Sequence, residues 1–290
     1  MEWFLEPFAL GFQQRALIGG ALAGLMASVV GTWLVLRGMS FFGDAFVHGV
    51  VPGIAAAVVL DINPVIGAAA AALFMVLAIE VVHRNTTLSE DTSIGLLFVG
   101  MLALGVMIIS RLDSYSGSLT TILFGDALGV TVSDLIAQAI LAVLIIGATT
   151  LFYRPLLALS FNKEKAQMWG LKPTTAHAAL LILIAAAVIG SFQSVGTLLV
   201  FGLLVGPPAA AALISRTVPR MMVTSAAIAL FSVWIGLTLS YHLGTAGSAT
   251  MALTPIVIFF LVLGFTRLRP RARPLHPRGP RTTRTEATHV

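Results

Sequence analysis

The chain has 290 residues, 58% of them hydrophobic and 10% charged, with a net charge of +5 and a mean hydropathy of +0.98. A soluble domain carries about 25% charged residues, so no water-soluble core accommodates this sequence and its solvent is a bilayer. The absence of cysteine excludes disulfide frameworks, thiolate metal sites and cysteine nucleophiles, and the positive balance reads as cytoplasmic loop charge rather than a nucleic-acid surface.

In chain order, MEWFLEPFALGFQQR (1–15) holds two glutamates and no basic stretch before an apolar run, so it does not read as a cleaved signal peptide. A crossing needs about 20 mostly apolar residues. The candidates are 16–36, 40–60, 64–82, 93–110, 134–152, 176–190, 195–214, 221–241 and 248–265. The expected fold is therefore all-α and polytopic, with about nine (eight to nine) transmembrane helices. Gly20 and Gly24 predict close helix packing in the first of them. Between the fourth and fifth, LTTILFGDALGV (119–130) is too short to cross and reads as a re-entrant or interfacial segment.

With the N-terminus outside, fifteen of the seventeen Lys and Arg fall inside, leaving only Arg15 and Arg111 outside. That asymmetry predicts an N-out, C-in topology. The proline- and arginine-rich end, 267–290, is expected to be a disordered basic cytoplasmic tail lying against anionic headgroups. Residues 1–266 then form the transmembrane domain.

Within the second span, SFFGDAFVHGVVPG (40–53) sets Asp44 and His48 one helical turn apart on one face. Counted along a helix from Arg37, His48 lies roughly 16 Å into the membrane. Ionisable groups at that depth are functional candidates. A carboxylate oxygen and an imidazole nitrogen suit Zn²⁺, and Mn²⁺ or Fe²⁺ nearly as well. Pro52 lacks an N–H, so the His48 carbonyl is expected to stand free beside them. Two ligands fall short of the usual four, and a two-fold dimer supplies two copies of each. The bland alternative is an interhelical hydrogen bond that only fixes packing. The FGDA of this stretch recurs at 124–127, where Asp126 has Val130 rather than His four residues on and reads as a packing residue.

Other polar features have two readings each. Glu80, His83 and Arg84 form either a helix-end ion pair or a cation exit site. His242 is an interfacial side chain or a guide for an arriving metal. Pro207, in Gly206-Pro207-Pro208, breaks the seventh span and frees the carbonyls of Leu203 and Leu204, for a kink or for a path. The polar loop SFNKEKAQMWGLKP (160–173) is a surface helix or the grip of a cytoplasmic partner. Neither G-x-x-x-x-G-K-[ST] nor H-E-x-x-H occurs, which removes the P-loop and the common zinc-protease motif.

The stretch LRGMSFFGDAFVHGVVPGIAAA (36–57) resembles the arginine-glycine and G-D-A-x-x-H-x-x-x-P-G pattern of ABC-3 family permeases. VGTLLVFGLLVGPPAAAALI (195–214), LSEDTSIGLLFVGMLALGVMIIS (88–110) and LFGD (123–126) are similar to that family too, over roughly residues 8–265. The resemblance implies a non-enzymatic permease of a bacterial cytoplasmic-membrane importer for zinc, manganese or iron, nearest the zinc type. It implies a homodimer, two separate cytoplasmic ATPase subunits and an extracytoplasmic metal-binding protein. Asp44 and His48 match the metal-coordinating pair, and the transported Zn²⁺ (or Mn²⁺/Fe²⁺) is cargo, with no bound cofactor. The loop 162–172 matches the coupling helix, with Glu164, Trp169 and Gly170 on its ATPase-facing stretch. Where the family often has F-D-P, this chain reads Phe161-Asn162-Lys163. Two competing classes are an intramembrane aspartyl protease built on Asp44 and Asp126, and a proton-coupled transporter. The first lacks the G-x-G-D pattern, with Phe41 and Leu123 at the first glycine; the second needs no ATPase.

Overall fold

A computed structural model describes residues 3, 6–86, 90–110, 129–161 and 173–268, and every element among them is helical. The re-entrant segment expected at 119–130, all but its last two residues, lies outside the described residues, as do the loop 162–172 and the tail from 269 onward. A 3-10 turn at Glu6–Ala9 leads into α1 (Gly11–Leu36), which is tied to that turn by Gln14 Nε2 donating to the Phe8 carbonyl at 2.8 Å. The helices that follow are α2 (Ser40–Gly49), α3 (Val51–Val59), α4 (Pro64–Asn85), α5 (Glu90–Ile109), α6 (Val132–Leu151) and α7 (Tyr153–Phe161). They are succeeded by α8 (Pro173–Ile214), α9 (Val218–Leu243) and α10 (Gly247–Leu268).

Helix boundaries follow local chemistry. Asn63 caps α4 by accepting the Val65 N–H at 2.9 Å, with Pro64 in the first turn. Thr131 and Asp134 close a capping box at the start of α6. The second span is two helices, α2 and α3, separated at Val50 because Pro52 cannot donate into the preceding turn. The His48 carbonyl, expected to stand free, instead takes the N–H of Val50; the break turns that donor toward it.

Helix α8 is assigned as one element of 42 residues, yet Gly196 inside it has φ 76° and ψ 164°, a conformation open essentially to glycine alone. His177 bonds to Arg37 at the end of α1, and Gly190 abuts Leu141 of α6. If the helix continued straight, Leu204 would stand about 40 Å from His177 at 1.5 Å per residue. It lies instead against Gly31, roughly 9 Å along α1 from Arg37. The chain therefore turns back at Gly196, and α8 is two antiparallel arms, Thr175–Phe192 and Leu199–Ile214. Eight described helices are long and apolar enough to cross a membrane, and the shorter Leu199–Ile214 arm is a further crossing by its direction. This reproduces the sixth and seventh spans of the sequence and puts the two ends of the bundle on opposite sides.

The core is centred on α1, which α6, α8 and α9 surround. Gly20 packs against Val233 and Gly24 against Ala229, so α1 and α9 run antiparallel at close range. The same register sets Ser28 opposite Ser225; both are fully buried, and neither hydroxyl has a hydrogen-bond partner among the described residues. At Gly31 no side chain fits: a Cβ would fall on the Leu204 carbonyl, which Pro208 leaves without its helical N–H. A second layer, α2 to α5, is held by an even closer crossing, where Gly53 of α3 and Gly67 of α4 face each other's carbonyl oxygens.

Candidate metal site

Helix α2 positions the Asp44–His48 pair. Phe42, Ala45, Phe46 and Val47 are buried to within 1% of completely, and they fix the helix against α8 and its neighbours. The strip 41, 44, 48 is left uncovered: Phe41 is 45% exposed, and the Asp44 and His48 side chains are 30% and 31% exposed. Phe98 of α5 flanks the strip, edge-on to Phe41 at 5.8 Å and tilted to the His48 ring at 6.2 Å. Gly49, the next residue, packs on the sulfur of Met75, the middle of α4. His48 therefore stands level with the middle of α4, and Asp44 one turn nearer the end that follows Arg37.

His48 Nε2 and Asp44 Oδ1 are 3.5 Å apart, too far for a good hydrogen bond between them. A cation bonded to both at about 2.1 Å would hold its donors about 3.0 to 3.4 Å apart. The observed 3.5 Å lies just beyond that range and beyond a direct hydrogen bond. Among the described residues no group of three or more His, Cys, Asp and Glu side chains converges on one point, so a full ligand set needs donors from elsewhere.

Glu80 is half-buried toward the end of α4. Gly49–Met75 and Gly53–Ala71 contacts set an antiparallel register between the second span and α4. Continued five residues past Gly49, that register puts Glu80 at the depth of Asp44. His83 lies one turn further on, with its side chain outside the described set. Pro52 is buried against Gly105 of α5, and Pro207 is buried in the second arm of α8. The Leu204 carbonyl beside it meets Gly31 of α1. His242 sits at the opposite-side end of α9, stacked on Trp3 at 4.1 Å and bonded to its carbonyl at 2.8 Å. It fastens Trp3 to the end of α9. Glu164, Trp169 and Gly170 fall outside the described residues.

Sequence reasoning missed one polar contact. Arg37 Nη1 donates to Nδ1 of His177 at 2.8 Å, and His177 is 6% exposed. Arginine has no acceptor, so the His177 ring nitrogen takes the acceptor role in this contact. The contact joins the turn that launches α2 to the first arm of α8. A histidine inside the predicted 176–190 span was the available signal.

The model of the ABC 3 transport family matches residues 9–266. The manganese transport system membrane protein MntC of Listeria innocua is 36% identical over 263 residues, covering 90% of this chain and 94% of that protein. The chelated iron transport system membrane protein YfeD of Yersinia pestis is 31% identical over 265 residues, with 91% and 89% covered. Among solved structures, PsaBC from Streptococcus pneumoniae in complex with Fab superposes with a TM-score of 0.79 at 31% identity, over 90% of this chain and 94% of that one. The match runs from the first crossing helix to the last and includes the uncovered Asp–His strip between them; the chain belongs to the ABC 3 transport family and is a multi-pass permease of the bacterial cytoplasmic membrane, not an enzyme.

Proposed function

We propose that this chain carries Mn²⁺ or Fe²⁺ inward, as the permease of an importer powered by separate ATPase subunits, with Asp44 and His48 as cargo ligands. The observation that carries the reading is the 3.5 Å separation of Asp44 Oδ1 and His48 Nε2 on a part-exposed strip within the second span. Zinc was the ion expected from the sequence. The manganese and iron systems among the relatives favour the alternative ions, and an oxygen-plus-imidazole pair accepts either.

Two charged-capable groups left uncovered in hydrocarbon are costly. A second copy facing the strip across a two-fold axis removes it from lipid and brings two carboxylates and two imidazoles together. Glu80, at the same depth, is a candidate additional oxygen donor. The cation sheds water on entering, and the carboxylate offsets its charge while the imidazole replaces a water ligand. Delivery comes from an extracytoplasmic metal-binding protein. ATP-driven closure of the ATPases, gripping 162–172 through Glu164, Trp169 and Gly170, exposes the strip to each side in turn.

The test is metal accumulation, measured by elemental analysis in cells carrying wild type, Asp44→Ala or His48→Ala with equal membrane abundance. Manganese or iron uptake falls in both variants. Undiminished uptake in both would sink the assignment of the pair, and a loss confined to zinc would restore the original ion.

A further inference from the structure

The cytoplasmic end of the bundle holds a second feature that transport of a cation does not use. Between α8 and α9 lies a concavity of about 570 Å³, lined by Ile214, Ser215, Arg216, Pro219, Arg220 and Val223 with Thr224. Arg216 and Arg220 are exposed. Their guanidinium groups make no hydrogen bond or ion pair with any described residue, and the whole stretch 173–268 contains no aspartate or glutamate that could pair with them. Ser215 Oγ donates to Thr224 Oγ1 at 3.3 Å, and Thr224 Oγ1 donates to the Arg220 carbonyl at 2.7 Å, so the hydroxyls form an ordered rim.

Below the guanidinium groups the lining turns apolar. Val223 is 71% exposed and Ile214 51% exposed. These residues lie within the ends of crossing helices, where uncovered aliphatic carbon faces acyl chains. The apolar surface continues up α9 through Leu230 and Phe231. One end of the concavity thus presents two cations without a partner among the described residues at headgroup level, and the other presents bare hydrocarbon at acyl level. A cytoplasmic protein could reach the arginines but not Val223 without entering the bilayer.

We propose that this concavity is a binding site for one anionic phospholipid, its phosphate held by Arg216 and Arg220 and its acyl chain laid along Val223 and the α9 face. Guanidinium forks match phosphate geometry, and the anionic inner leaflet supplies the ligand. The site is independent of the Asp44–His48 reading and of which metal is carried.

The experiment uses the purified full-length permease with its ATPase subunits. Retained phosphatidylglycerol is titrated by native mass spectrometry against phosphatidylcholine, for wild type, Arg216→Gln/Arg220→Gln, and Arg154→Gln as an exposed cytoplasmic control. Wild type prefers phosphatidylglycerol, and the double variant loses roughly 30-fold in that preference at about one surface-charge increment per arginine. Arg154→Gln keeps it, and millimolar inorganic phosphate does not displace the lipid. An unchanged double variant, or an equal loss in Arg154→Gln, overturns the proposal in favour of diffuse surface charge. Full displacement by inorganic phosphate overturns the lipid in favour of a free anion. Normal lipid retention with loss of the ATPase subunits would overturn it in favour of a protein-docking patch.

Discussion

The two layers of the bundle handle polarity in opposite ways. From α8 to α10 the described chain has no acidic residue at all, and its buried hydroxyls bond mainly within their own helix, as Ser232 does to Ile228 and Thr238 to Trp234. With α1 these helices meet through glycine and small side chains, backbone against backbone. The layer α2 to α5 has glycine crossings too, but it also carries Asp44, His48 and Glu80 within its crossing helices. A bilayer gives little hydrophobic drive for helix association, so the first layer is built by shape. That rigid layer lets the second keep an unsatisfied pair on an open strip. Changing the strip should therefore alter transport without altering stability, while changing the glycine contacts should do the reverse.

The sharpest test of that division is Asp44→Asn combined with His48→Gln. Both side chains are nearly a third exposed and only loosely paired, so resistance to unfolding in mixed detergent should stay within about 0.5 kcal/mol of wild type. Uptake of manganese or iron should fall by more than about tenfold. A stability loss matching the transport loss would erase the distinction. On the other side, Gly31→Val drives a branched side chain onto the Leu204 carbonyl, a backbone atom with little freedom to retreat. It should destabilise the bundle by about 3 kcal/mol or more, read by the same unfolding assay, with uptake per folded molecule unchanged. Next in size is Gly196→Ala. At φ 76° and ψ 164° any Cβ is strained, and the expected cost is about 1 to 3 kcal/mol. If Gly196→Ala unfolds like wild type, α8 does not turn back there.

Much of this division was legible before any coordinates. Hydropathy and the positive-inside count gave the order and direction of the crossings, because a bilayer tolerates little else. Close packing of α1 was legible in Gly20 and Gly24, though not that α9 is the partner, and Pro52 marked the place where the second span breaks, though not that Val50 would take the His48 carbonyl. What the sequence could not supply were contacts between distant positions. Arg37 meets His177 across 140 residues, and the pairing of Ser28 with Ser225 depends on a helix register that no local pattern encodes. The early start of α1 escaped because Gln13, Gln14 and Arg15 look like a loop until the Phe8 carbonyl is seen to hold one of them. The ion was illegible for a chemical reason. Asp and His ligands accept zinc, manganese and iron alike, and only likeness to manganese and iron systems tilts the choice.

The smallest expected effect probes the scaffold layer where it departs from its own rule. Ser28 and Ser225 are each fully buried with an unpartnered hydroxyl, in register across the α1–α9 contact. A buried hydroxyl without a partner costs its desolvation, so removing it relieves that cost and leaves a gap of a single oxygen. Ser28→Ala and Ser225→Ala should each change stability by less than about 0.5 kcal/mol, with the double variant equal to wild type or slightly more stable. The double-mutant cycle should give a coupling close to zero. A coupling above about 1 kcal/mol would mean that the two hydroxyls bond across the interface in the membrane. The scaffold layer would then be held by polar contacts as well as shape, and its contrast with the α2–α5 layer would narrow to the charged groups alone.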